Sequence, residues 1–515
     1  MSRFLILFLF LIWTAWPGSA QPVGKLPLAE TTLFLGVFAL IVLLLGAWSR
    51  ILARHVTGAN LHRSLKRFNQ AIFAARLAIP GWFGVGVFVL DWPLVVERLL
   101  GPVAYWPVQL PAAALGTLPA VLAWMALWWS QYPADRALRE QSLLIHLEDG
   151  LPVHAPPGFW EYFRASIRLQ LLFTVVPVAL ILLARDVMIV TLWKTQAAGP
   201  LSPATDAMVS FASALLVLIF APEILRRVLH TQPLPASPLR DRLENLCRRA
   251  NLRYREILLW RTENNMGNAA VMGLLPRVRY ILLSDLLLES MRDEQIEAVF
   301  AHEVGHVVHR HMGWYVVFFV ILTLAMTGAS ATLINHFAWV QLPPWLPPEL
   351  LVMAGSVAAF LLMFGFLSRN FERQADVFAA RTIETGDGIR SAGTASDGVE
   401  SDGVTRSEKG AASYSVTPSL PTPSLATPSL PSRRPVGPYG ATVFASALHR
   451  VAVINNIPVA ARSWCHGSIA RRMKYLEHLA ADPSHTTRFD RFMGKLYAAM
   501  VIALVACGAW VFVAG

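Results

Sequence analysis

Residues 300–308 read Phe300-Ala301-His302-Glu303-Val304-Gly305-His306-Val307-Val308. On a helix, residues four apart share one face, so His302 and His306 can present imidazole nitrogens to a single Zn²⁺, with Glu303 alongside as a general base. The flanks are helical in character. Ser290, with Asp293 three residues later, has the form of a helix-start signal, Asp293 and Glu294 suit the positive end of a helix, and no proline follows until Pro343.

Catalytic zinc needs a third protein ligand and an open position. His309 and His311 are nearest in sequence. On a continuous helix His309 lies about 10 Å along the axis from His302, too far for one metal. A metzincin would carry Gly at 309 and His at 312, where this chain has His309 and Met312. Both extra histidines are therefore expected to be helix-end or membrane-interface residues. A carboxylate brought by another helix fits better.

Two apolar stretches later comes Ser368-Arg369-Asn370-Phe371-Glu372-Arg373-Gln374-Ala375-Asp376. His-Glu-x-x-His, two spans, then Ser-Arg-x-x-Glu-x-x-Ala-Asp resembles the integral-membrane zinc endopeptidases typified by HtpX and the type I CAAX prenyl protease. The resemblance implies one Zn²⁺ per chain held by His302, His306 and Glu372. It also implies that Asp376, one turn after Glu372, orients a ligating imidazole. Asn268-Ala269-Ala270-Val271-Met272-Gly273, followed by Tyr280-Ile281-Leu282-Leu283-Ser284-Asp285, resembles the family's two strands before the metal helix. Asn268, Ala269 and Ala270 would then lie on an edge strand able to hold a substrate backbone; an ordinary hairpin around Pro276 is the other reading. His466-Gly467-Ser468-Ile469-Ala470-Arg471-Arg472 resembles a family element that lines the cleft, with Gly467 where the family has proline. By resemblance, His466 would stabilise the transition state and Arg472 would make a structural or substrate contact. The resemblance covers residues 235–385 and 441–480.

The rest of the chain sets this chemistry in a membrane. Of 515 residues 55% are hydrophobic and 15% charged, too apolar for an ordinary soluble enzyme. Met1 to Ala20 reads as a signal peptide or first transmembrane helix. Spans are expected near 31–48, 79–98, 109–130, 169–190, 207–225, 313–336, 349–367 and 492–514. Asp91 interrupts the second and Arg185 with Asp186 the fourth; such charges pair within the bundle, mark a polar path, or stand where a helix simply ends. The net charge of +11 sits in blocks beside apolar segments, as orientation signals do, which argues against a nucleic-acid partner. Arg50, Arg54, Arg63, Lys66, Arg67 and Arg76 put the segment after the first span in the cytoplasm, and alternation puts residues 226–312 and 368–491 there too. Cys247, Cys465 and Cys507 lack the spacing of a disulfide framework. Residues 386–437, with Thr-Pro-Ser-Leu recurring at 417, 422 and 427, read as a disordered insert.

The expected protein is mainly α: a multi-pass helical bundle bearing a cytoplasmic gluzincin-type metallopeptidase domain with a small β-sheet. Its expected units are 1–20, the N-terminal membrane region 21–230, the peptidase core 231–385, the insert 386–437, the rest of the peptidase domain 438–491, and a final span 492–515. The expected function is hydrolysis of peptide bonds in membrane or membrane-delivered proteins, in quality control or processing. The bacterial cytoplasmic membrane is the expected location, polypeptides and the bilayer are the expected partners, and self-association is open. A metallopeptidase-type sensor-transducer and a scaffold with structural zinc are the alternatives. Nothing in the sequence identifies a prenyl group on the substrate.

Overall fold

The computed structural model describes residues 2–14, 28–101, 108–148, 155–195, 203–264, 266–337, 348–396, 434–461 and 463–514. Among these, eight helices are long and apolar enough to cross a membrane, so the chain is a multi-pass membrane protein. The small-residue end of the expected leader, Gly18 to Ala20, and most of the expected insert lie outside the described residues.

The N-terminal bundle is built on Leu28–His55, Leu61–Phe88 and Leu110–Glu148. Its core is aromatic: Phe34, Phe83, Trp124 and Trp128 are fully buried, and the short helix Ser2–Thr14 adds Ile6 and Leu9. Close helix contact needs a glycine here, because a Cβ at Gly86 would stand 2.1 Å from the Phe34 ring. The second span differs from the expected 79–98. The helix runs Leu61–Phe88, and the chain breaks at Asp91 (φ +52°) before the separate helix Trp92–Leu100. Arg63, Lys66 and Arg67 gave its first turns the look of a loop, yet nothing there stops a helix, and Pro80 is accommodated inside it. The charges of the fourth span pair within the bundle. Arg185 lies 3.0 Å from Asp186 and also bonds Asp206, while the Asp186 carboxylate accepts the backbone N–H groups of Gln109 (2.9 Å) and Leu110 (2.8 Å) at the start of the helix Leu110–Glu148. Burial of these charges is thus matched by partners, as an apolar surround requires.

The second half opens with a four-stranded sheet: β1 (Thr231–Pro233), β2 (Glu256–Trp260), β3 (Ala269–Met272) and β4 (Tyr280–Ser284), in the order β1-β2-β4-β3. β2 and β4 are parallel, the outer pairings antiparallel, and β3 is an edge. Behind the sheet pack the motif helix Asp293–Val308, the helix Pro348–Ser396 and the helix Pro438–Ile454, around Phe300, Phe371 and Phe444. Pro348–Ser396 has 49 residues, about 73 Å at 1.5 Å per residue, more than twice the ~30 Å of hydrocarbon. Its far half is therefore long enough to leave the bilayer and enter the domain. It continues to Ser396, ten residues past the expected start of the insert at 386.

Candidate active site

The motif helix begins at Asp293, two residues after Met291, because Ser290 closes the preceding helix Asp285–Ser290; the helix-start signal expected at Ser290 is displaced. The Gln295 side chain instead accepts the Arg292 N–H (3.2 Å), and Arg242 pairs with Asp293 and with Glu297 (2.8 Å). Phe300, Ala301 and Val304 bury one face of the helix, which turns His302, Glu303 and His306 together toward the cleft. Gly305 lets the Glu372 helix approach: a Cβ there would stand 3.2 Å from the Ala375 Cα and 3.1 Å from Phe378.

Glu372 and Asp376, one turn apart, come down the long helix, both buried. The two histidine Nε2 atoms lie 3.2 Å apart, with Glu372 Oε2 3.5 Å from His302 Nε2 and Oε1 3.7 Å from His306 Nε2. A tetrahedral zinc with bonds of about 2.0–2.2 Å wants its ligand atoms about 3.4 Å apart. The three residues therefore fit that metal in element, number and spacing, and three donors leave one position open.

The imidazoles are held from behind. His302 Nδ1 lies 3.0 Å from Asp376 Oδ1, and Asp376 is clamped by Arg472 through Nε (2.9 Å) and a terminal nitrogen (2.5 Å). Burial pulls the His302 imidazole down, but Asp376 and Glu372 outweigh it and raise it to about 9. Burial likewise works against the Arg472 guanidinium, which Asp376 and Glu372 hold above its ordinary value. Burial lowers His306 to about 4. Glu303 is pushed up by burial, with His302 opposing and Glu372 adding, to about 7. That value suits a group which must take and return a proton near neutrality.

His309 and His311 both stand at helix ends, as expected, but His311 also packs against His306. The motif helix stops at Val308, Arg310 takes φ +55°, and His311 opens the next helix, His311–Phe337. On an unbroken helix, residues 306 and 311 would point about 140° apart. The left-handed break at Arg310 folds them together, with Nδ1 atoms 2.9 Å apart. His311 then reaches Gln374 Oε1 (2.9 Å), which also accepts the Tyr497 hydroxyl (2.5 Å), and its ring stacks on Phe371 at 4.3 Å. With His306 Nε2 given to a metal, its Nδ1 carries the proton and donates to His311, and His311 donates onward from Nε2. One tautomer is fixed along the whole row.

His466 stands at the rim, its side chain 59% exposed, with Nδ1 2.8 Å from Glu372 Oε1. Its loop is tied to the long helix by Trp464, whose Nε1 donates to the Leu361 carbonyl (2.9 Å) and whose own carbonyl accepts from Arg369 (3.0 Å). Gly467, in place of the family's proline, has φ +74°, which a pyrrolidine ring fixed near −65° cannot adopt. It bridges to Ser463 in both directions (3.0 and 3.2 Å), and Ser468 caps the helix that carries Arg472. Arg472 faces Asp376 and Glu372 from inside the domain, rather than the open cleft.

Edge strand β3 passes beside Glu303, whose carboxylate accepts a backbone bond from Val271. Register tells which of its groups face outward. Asn268 bonds back to Ser284, its carbonyl to the Ser284 N–H (2.9 Å) and its N–H to the Ser284 Oγ (2.8 Å), so 268↔284 is a bonded pair. By alternation Ala270 and Met272 also face β4, while Ala269 and Val271 turn their backbone groups to the open edge. Of Asn268, Ala269 and Ala270, only Ala269 offers its backbone outward; Val271, which the sequence reading passed over, also faces outward, with its N–H taken by Glu303 and its carbonyl toward the edge.

Residues 233–490, half of the chain, match the sequence profile of Peptidase family M48. The chain belongs to Peptidase family M48. Over 183 residues the chain is 28% identical to a protease HtpX homolog of Aeropyrum pernix, covering 34% of this chain and 55% of that one. Another 161-residue match is 27% identical to a CAAX prenyl protease 1 homolog of Arabidopsis thaliana, covering 29% of this chain and 38% of the relative. The M48 chain thus spans about half the length, or less, of these curated relatives. The crystal structure of S. mikatae Ste24p is similar over 88% of this M48 chain and all of its own, at 14% identity and a TM-score of 0.45.

Proposed function

We propose that the chain is a membrane-bound zinc endopeptidase that hydrolyses membrane proteins, or polypeptides brought to the membrane surface, in quality control or processing. One observation carries the reading: Glu303, raised to about 7, shares one space with the His302, His306 and Glu372 donor atoms and lies against the free edge of β3. A closed structural zinc site would want a fourth protein ligand and no base, and the donor group among the described residues has three members.

His302, His306 and Glu372 hold the metal, and Asp376, Arg472 and His311 aim the two imidazoles. When bound, zinc supplies a Lewis acid that makes water a nucleophile near neutral pH and polarises the scissile carbonyl. Glu303 takes the proton of the attacking water and hands it to the leaving amine. Ala269 and Val271 hold the substrate as an added strand. His466, at the rim, leaves Glu372 to donate to the developing oxyanion, a contribution of roughly 3 kcal/mol for a well-aimed donor.

The test compares detergent-purified protein with Glu303→Gln on an unfolded membrane-protein substrate at matched zinc content. Cleavage should fall by about 10²–10⁴-fold with zinc retained. Equal cleavage by both proteins would overturn the reading.

A further inference from the structure

The outward-facing row of β3 continues one step upstream, to Gly267, and there it is already occupied. Asn455, at the end of the helix Pro438–Ile454, accepts the Gly267 N–H on Oδ1 (3.0 Å) and donates from Nδ2 to the Gly267 carbonyl (2.7 Å). These are the two bonds that a neighbouring strand's peptide unit would make. A third bond, from Nδ2 to the Val451 carbonyl (2.8 Å), fixes the amide's orientation. The approach depends on glycine, since a Cβ at 267 would stand 2.2 Å from Ile454 Cδ1. Behind Asn455 lies a cavity of about 220 Å³ between the peptidase domain and the N-terminal bundle, walled in part by Asp135, Arg139, Asn264 and Asn456.

We propose that the Asn455 side chain ends the substrate-binding edge, so that the enzyme pairs with only a short extended segment on that side of the cut and turns the rest of the polypeptide away. The inference rests on the peptidase reading above and adds a length rule to it. From Val271, beside Glu303, to Gly267 is four residues, about 13 Å. Pairing is therefore open opposite Ala269 and the Val271 carbonyl, with the Val271 N–H held by Glu303, and closed opposite Gly267, which leaves room for about three substrate residues before the stop. Asn455 is a positioning residue: it touches the strand that holds substrate and sets where pairing stops.

The experiment uses the full-length protein in detergent and a ladder of peptides lengthened one residue at a time on each side of a cut mapped by mass spectrometry. Its readout is the ratio of kcat/KM for long and short peptides within one preparation. In the wild type the ratio should rise over about three residues on one side and then stay flat. Asn455→Ala frees two strand bonds at Gly267, and Gly267→Ala pushes the Asn455 loop off the strand. Both should restore dependence on longer segments, by about five- to tenfold and mostly in KM, since a net hydrogen bond is worth a factor of about 2 to 12. A merely structural role would lower long and short peptides equally and leave the ratio unchanged. An unchanged ratio in both variants, with zinc content and melting intact, overturns the proposal, as does a wild type that keeps gaining with length on both sides. Cleavage of the ladder that survives Glu303→Gln would instead overturn the peptidase reading itself.

Discussion

At the residue scale, the row His306–His311–Gln374–Tyr497 would make the hold of the proposed metal on His306 depend on groups outside the donor set. Such partners typically contribute 10–100-fold to metal affinity. His311→Phe keeps the stack on Phe371 but removes the acceptor, so zinc affinity measured against a chromophoric chelator should weaken by about that factor. His311→Asn restores an acceptor and should recover part of the loss. Unaltered affinity in the Phe variant would reject this role. His302, Glu303 and His306 were legible from their helical spacing, whereas Glu372 and Asp376 were named only by the resemblance of Ser368–Asp376 to the family's motif. His311 was not, because its place in the site depends on one left-handed residue, Arg310, and hydrophobic periodicity carries no signal for such a break. Gly467 was read only as a departure; its positive φ shows that a different turn presents His466.

At the element scale, the proposed site requires two helices to cross closely enough for one metal to bridge them, and Gly305 sets that approach. Gly305→Ala asks Phe378 and Ala375 to give a few tenths of an ångström and should cost a few degrees in melting temperature. Gly305→Leu cannot be absorbed that way. Overpacking of this kind costs about 1–3 kcal/mol, and here it also moves Glu372 away from the histidines. Metal analysis and thermal unfolding in detergent should show substoichiometric zinc and a lower melting temperature; full zinc with unchanged melting would contradict the account. Most spans were readable from apolar length, whereas β3 and β4 were named by resemblance and β1 and β2 were not read. The second span slipped because Arg63, Lys66 and Arg67 masked a helix that nothing interrupts. The edge register slipped because knowing which strand residues face outward requires the pairing with β4, which local sequence does not contain.

At the scale of the whole molecule, the sidedness of the peptidase half follows from charge. Basic residues concentrate between the expected spans on one side, and under the positive-inside rule the proposed location of the sheet and the motif helix is the cytoplasm. Arg253 is exposed just before β2. In a chain with Cys465 replaced by serine, Arg253→Cys should react with a membrane-impermeant maleimide only after intact cells are permeabilised. Labelling of intact cells would reverse the assignment. The chain order of the metal donors has a further consequence. His302 and His306 precede two helices long and apolar enough to cross the membrane, Glu372 lies on the second of them, and Arg472 comes a hundred residues later. During synthesis a chain that has placed only the first of these helices holds two histidines and a base but neither the third donor nor the clamp on His302. The proposed donor set is therefore complete only once the second helix is in place, so the order of synthesis fixes the order in which the site can be assembled.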